Sequence, residues 1–165
     1  MRELINDPFN KLIEEYDRCV IDYCLMEDDT PYQGYPSHKD AIQFAMQKVI
    51  ERDTETQIEV ELLRTDRVGR RFYDCEFPDP LKGEQIPYWY AFLEPPHTSG
   101  YGPDDFRSVN SVLFPKGVDQ LEIYEWTTDW SDYFDDGHEW WGTACWSIYD
   151  KRMNRYVVIM AEATD

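Results

Sequence analysis

The chain has 165 residues, 42% of them hydrophobic and 16% aromatic, and a formal net charge of −18. So many rings exclude a chain kept unfolded by its own charge. The excess of carboxylates argues against direct recognition of nucleic acid or of an anionic membrane, which depends on Lys and Arg. The length predicts a single domain over 1–165, able to bury roughly two-thirds of its unfolded surface.

Asp7 and Pro8 suit the start of a helix, and Phe9, Leu12, Ile13, Tyr16, Cys19, Val20 and Tyr23 recur at helical spacing behind them. Pro31, Gly34 and Pro36 break that pattern. Ser37 and Asp40 approximate a capping box for a second helix through Ala41, Ile42, Ala45, Met46, Val49 and Ile50. These two helices are expected on one face of a sheet, so that Asp in place of Val20 or Ile42 would cost several kcal/mol. Ile58, Val60 and Leu62 alternate with Glu59 and Glu61 as in a half-buried strand. Residues 66–70 then read as a hairpin turn into a strand through Phe72, Tyr73, Cys75 and Phe77.

After a proline-rich loop, the apolar run Tyr88 to Leu93 suits a central strand. Pro103-Asp104-Asp105 opens a third helix with Phe106, Val109, Val112 and Leu113, ended by Pro115 and Gly117. Leu121, Ile123 and Glu125 form a further strand. Trp140 to Tyr149 and Tyr156 to Ala163 form a closing hairpin across Asp150 to Asn154, with Trp140, Gly142, Ala144, Trp146 and Ile148 as its inward set. The sum is an α+β fold: an antiparallel sheet of about five to six strands, two N-terminal helices and one mid-chain helix, in the order ααβββαβββ.

No motif names a reaction. Gly142 to Trp146 only partly matches the nucleophile box of papain-like proteases, and His38, His97 and His138 all lie upstream of Cys145, which reads as a core thiol. Aligning Asp132 to Gly137 on a calcium loop puts Phe134 and Thr143 at ligand positions, so the EF-hand reading fails. His138-Glu139 lacks a second His four residues on, and no phosphate-binding glycine loop or Gly-x-Ser-x-Gly elbow occurs. No catalytic residue, metal ligand or cofactor is therefore expected. The arginines at 64, 67, 70 and 71 read as a solvated turn.

What stands out is the stretch between Lys116 and Lys151, which has neither Lys nor Arg yet holds nine carboxylates and five of the six tryptophans. A surface kept merely soluble intersperses the two signs. Glu122, Glu125, Asp129, Asp132, Asp135, Asp136 and Glu139, with Trp130 and Tyr133 as exposed anchors, are the candidate partner-binding residues.

In size and composition, though not in any motif, the chain resembles small acidic bacterial proteins that neutralise a basic target. These are toxin-immunity proteins and phage anti-defence inhibitors, some of which mimic nucleic acid. The resemblance implies a non-enzymatic inhibitor whose partner is a basic protein, such as a nuclease or another nucleic-acid-binding protein. A carbohydrate-binding module or small hydrolase with an acidic, Trp-lined cleft is the alternative from a different class. A housekeeping domain with every ring in its core is the third. The opening residues 1–10 have no apolar leader core, no stretch reaches transmembrane length, and Cys19, Cys24, Cys75 and Cys145 show no metal-ligand spacing. Reduced cysteines in a cytoplasmic protein are the expectation.

Overall fold

The structure is a computed structural model that describes residues 1–5, 7–18, 20–52, 56–59, 65–68, 86–95, 98–135 and 143–162. In chain order the elements are β1 (Arg2–Glu3), α1 (Asp7–Ile13), β2 (Ile21–Glu27), α2 (Tyr35–Arg52), β3 (Thr65–Val68), α3 (Tyr88–Leu93), α4 (Pro103–Leu113), β4 (Leu121–Trp126), β5 (Thr143–Asp150) and β6 (Arg155–Glu162). Short 3₁₀ turns follow α1 at Glu14–Tyr16 and β4 at Asp132–Phe134. Among the described residues the strands form one sheet in the order β1-β2-β6-β5-β4-β3, every pair antiparallel. The α+β class therefore holds, while the element order departs from the expected one.

Both faces of the sheet are buried. On one, Leu25, Ile123, Ala144, Trp146, Ile148, Val157 and Ile159 pack under Phe9 of α1, Tyr88, Trp89 and Phe92 of α3, and Phe106, Val109 and Leu113 of α4. On the other, Cys24, Met26, Trp126, Cys145, Val158 and Met160 pack under Ala41, Ile42, Ala45, Met46 and Val49 of α2. The first two helices thus lie on opposite faces, not on one. The inward set of the closing hairpin is likewise no single set. Ala144, Trp146 and Ile148 face the first core, and Cys145 and Tyr149 face the second.

Three segments take the opposite structure to the one expected. The helical spacing that begins at Phe9 stops at Ile13, and Ile21 to Glu27 is a strand between β1 and β6. A strand buried on both faces reads as an unbroken apolar run, so Val20 and Tyr23 sat at helical spacing by coincidence. Tyr88 to Leu93 is a helix: Tyr88, Trp89, Ala91 and Phe92 are buried at helical spacing, and Glu94 N–H donates to Tyr90 O over 2.8 Å. Residues 65–68, placed at a turn, form an edge strand on β4. Ile58 makes one isolated bridge, to Ser131. The strand through 72–77 lies outside the described residues.

The helix ends follow local chemistry. Gly34, at φ +73°, makes the turn before α2, a backbone region that favours glycine. Pro36 sits in the first turn of α2, and Ser37 Oγ accepts the Gln33 N–H at 3.0 Å, so the helix starts ahead of the expected Ser37–Asp40 box. Pro103 opens α4, where Asp105 Oδ2 accepts the Gly102 N–H at 2.7 Å.

Candidate functional site

Register places the candidate residues at opposite ends of the sheet. Leu121 opposes Asp150 beside the β5–β6 turn, while Trp126 opposes Cys145 near the far end. At the turn end, anions and cations are matched. Lys151 Nζ lies 2.9 Å from Glu122, Arg152 Nη2 lies 2.8 Å from Asp119, and Arg155 opposes Asp150 in register while donating to the Leu113 carbonyl. Asp150 Oδ1 accepts the N–H groups of Arg152 and Met153 at 2.9 and 3.2 Å, which closes the turn. Burial holds the Arg155 guanidinium below its ordinary pKa, opposed by the charge of Asp150.

The far end is different. The connection after β4 carries Asp129, Asp132 and Asp135, all exposed, and none has a cationic partner among the described residues. Asp22, where β2 starts, joins them. Tyr133 donates its O–H to Asp22 Oδ2 at 2.8 Å, with Arg52 Nη1 3.6 Å from Asp22. Burial pushes the Tyr133 phenol up, followed by the charge and hydrogen bond of Asp22 and the charge of Glu162. The connection is held in place from outside. Gln57 N–H donates to Asp132 Oδ1 at 2.7 Å, Ser131 Oγ–H to Gln57 O at 2.8 Å, and Glu59 N–H to Trp130 O at 2.7 Å. Ser131 Oγ also accepts from Tyr133 N–H at 3.2 Å and so caps the 3₁₀ turn.

Of the nine candidate residues, Asp129, Asp132, Tyr133 and Asp135 come together here. Glu122 does not: it is buried at the turn end, paired with Lys151. Glu125 lies on the opposite face of β4 from Glu122, in register with Trp146. Trp130 is a correction. At 1% exposure it belongs to the core, edge-on to Phe134, and its indole N–H donates to Thr127 O, so it is no surface anchor. Asp136 and Glu139 lie outside the described residues. Sequence reasoning passed over Asp22, which approaches this pole only through strand pairing and so leaves no local signal. Of the rings a sugar cleft would use, Trp126 and Trp130 are each 1% exposed or less, and Trp140 lies outside the described residues.

A second polar constellation lies buried between α2 and the sheet. Ser147 Oγ, in the middle of β5, accepts from Trp126 Nε1–H at 2.7 Å and lies 2.8 Å from His38 Nδ1. His38 Nε2 is 2.9 Å from the Tyr32 hydroxyl. Burial raises the Tyr32 phenol above its ordinary pKa, followed by a hydrogen bond to Glu122 and that residue's charge. A serine beside an imidazole invites comparison with a nucleophile and base. Here Ser147 and His38 are both 0% exposed, so the pair is sealed from substrate. The signal for it in the sequence was thin: one His at an inward position of a helix and one Ser in an apolar strand.

Among the described residues, no group of three or more His, Cys, Asp or Glu side chains is placed to hold a metal ion, and no helix is long and apolar enough to cross a membrane. Compared with known proteins, the sequence matches no family model and no curated protein.

Proposed function

We propose that the chain is a non-enzymatic acidic binding protein and that the partner is a basic protein, engaged at the carboxylate pole formed by Asp22, Asp129, Asp132 and Asp135. The observation that carries this reading is the unequal compensation of charge along the sheet. Lys151 and Arg152 neutralise the turn end, while three exposed aspartates at the other end face solvent without a cation among the described residues. Exposed carboxylates on an anchored connection act on encounter and register more than on raw affinity. The partner's cationic groups supply the complement, as on a nuclease or another nucleic-acid-binding surface, and inhibition follows if that surface is the working one. Among the described residues the large rings here, Trp130 and Phe134, are buried in the core, and what they leave to a partner is polar. Buried free thiols at Cys24 and Cys145 suit a reducing compartment such as the cytoplasm.

The test is affinity capture from the source cell with the immobilised chain, followed by purified binding measurements on the protein captured. Asp129→Lys with Asp135→Lys is the reversal of choice, because Asp132 also holds the Gln57 amide. The pair should slow association roughly tenfold at low salt and leave the fold intact. Wild-type association should fall steeply towards physiological salt, where the Debye length is about 8 Å. Binding indifferent to salt and to the double reversal would remove this pole from the interface.

The same charge predicts an effect on the free protein. With −18 net charges on one small chain, added salt should raise the thermal midpoint by several degrees, equivalent to about 1 kcal/mol of relieved self-repulsion. A midpoint flat in salt would mean that the carboxylates are compensated in place.

A further inference from the structure

Among the described residues, five buried side-chain polar atoms have no hydrogen-bond partner. Three of them, Asp150 Oδ2, Arg155 Nε and Asn110 Oδ1, belong to the end of the sheet where the closing hairpin meets α4. A buried donor or acceptor gives up its hydration, so a stable interior supplies each one with a bond in return.

The pleat and the helix bring these three groups to one face. Asp150 and Arg155 are the last opposed pair of the β5–β6 ladder. They stand two residues from Ile148 and Val157, so they share the face on which those two pack beneath α4. Asp150 is 0% exposed and Arg155 6%. Arg155 Nη2 donates to the carbonyl of Leu113, the last residue of α4. Asn110 lies one turn earlier, buried with Phe106, Val109 and Leu113 on the inner side of that helix. Its Nδ2–H donates to Phe106 O at 2.7 Å, which fixes Oδ1 as the amide atom still to be bonded.

The two charges oppose one another in register, yet no ion pair joins them. Each is drawn aside by another bond. The guanidinium is held by Leu113 O, and Asp150 Oδ1 by the N–H groups of Arg152 and Met153 at 2.9 and 3.2 Å. What remains is one donor, Arg155 Nε–H, and two acceptors, Asp150 Oδ2 and Asn110 Oδ1.

A water molecule is the complement of that set, with two O–H donors and lone pairs to receive a third bond. A metal cation is excluded by the Nε–H, which only donates, and an anion by the two oxygens, which only accept. We propose that one internal water binds at this junction, accepting from Arg155 Nε–H and donating to Asp150 Oδ2 and Asn110 Oδ1. Asp150 and Arg155 then form a water-separated ion pair, so that two buried charges balance without touching. The same water ties the closing hairpin to the end of α4.

The Arg155 Nε–H proton reports the site directly, and Arg155→Lys, which keeps the charge and lacks that proton, identifies its resonance. In the wild type, cross-relaxation from this proton to water should have opposite signs in the laboratory and rotating frames, the signature of a long-held neighbour. Exchange with bulk solvent gives equal signs. Asn110→Leu removes one acceptor from a side chain of similar shape. It should shorten the residence of one internal water roughly tenfold, the loss of about one hydrogen bond, as read by oxygen-17 relaxation dispersion. A crystal structure of the wild type should show density within hydrogen-bond distance of all three atoms, which keeps the proposal testable if either variant fails to fold. A direct Nε–Oδ2 ion pair in that crystal overturns the proposal. So does an Nε–H without cross-relaxation to water, or a folded Asn110→Leu with unchanged water residence.

Discussion

Ile42→Asp should leave the protein unfolded at room temperature, whereas Val20→Asp should fold with nearly wild-type stability. The sequence assigns both residues to the core side of a helix, but their surroundings differ. Ile42 is 1% exposed on α2, among Cys24, Met46 and Val158 in the second core, and Val20 is 36% exposed just before β2. Removing the isoleucine forfeits roughly 1.5–3 kcal/mol of burial. The carboxylate that replaces it must then lose its hydration or take up a proton, which costs several kcal/mol more. That total rivals the stability of an ordinary domain, about 5–15 kcal/mol. At Val20 the new charge keeps its water, and the loss should stay below about 1 kcal/mol. Urea unfolding followed by circular dichroism measures both, with Ile42→Val, expected to cost about 0.5–1.5 kcal/mol, as the conservative control. A stable Ile42→Asp would mean that α2 is peripheral to the sheet.

The elements that were legible in the sequence are those whose environment is one-sided. α2 and α4 show an apolar stripe at helical spacing with breakers at their ends, and both occur where that stripe lies. The β5–β6 hairpin was legible because two apolar runs flank Asp150 to Asn154, where Asn154 adopts φ +49°, a backbone region that asparagine tolerates better than most. Legibility failed where an element is buried all round. β2 is covered by α2 on one face and by α1 and its neighbours on the other, so it shows no alternation of apolar and polar. In Tyr88 to Leu93 six apolar residues between prolines suit either a strand or a helix, and burial against α4 and Trp146 decides for the helix.

The acidic pole was legible in part, because absence of Lys and Arg is a property of the sequence while exposure is a property of the fold. Asp129, Asp132 and Asp135 are exposed as their polarity implies, but Trp130 beside them serves the core. Tryptophan is amphipathic enough for either place, and nothing local separates the two. Glu122 illustrates the converse. A carboxylate in the same basic-free stretch is buried because Lys151, beyond the end of that stretch, is brought back to it by the turn into β6.

Alkaline unfolding should set in above pH 9 and be complete near pH 12, with the buried phenols ionising only as the fold is lost. Burial raises the Cys24 thiol from an ordinary 9.0 to about 12, helped by the charge of Glu3. Burial also raises Cys145, Tyr133 and Tyr32, and to a smaller extent Tyr16, Tyr149 and Tyr156. Each of these groups holds its proton more tightly folded than unfolded. Its stabilisation is therefore complete below the ordinary value and is lost as pH climbs towards the folded-state value. For Cys24, 3% exposed, a rise of about three units amounts to roughly 4 kcal/mol lost across that window. Cys145 adds to it in the same direction, and the Cys24 loss alone is a large fraction of the stability of a typical domain, about 5–15 kcal/mol. Circular dichroism and the phenolate absorbance of the buried tyrosines, recorded together, should move in one cooperative step. Cys24→Ala should be somewhat less stable at neutral pH, yet show a shallower decline between pH 9 and 12, because one titrating group is gone. If the phenolate absorbance assigned to Tyr32 and Tyr133, by difference from Tyr32→Phe and Tyr133→Phe, rises while the dichroism stays native, those phenols are open to solvent and the alkaline argument fails.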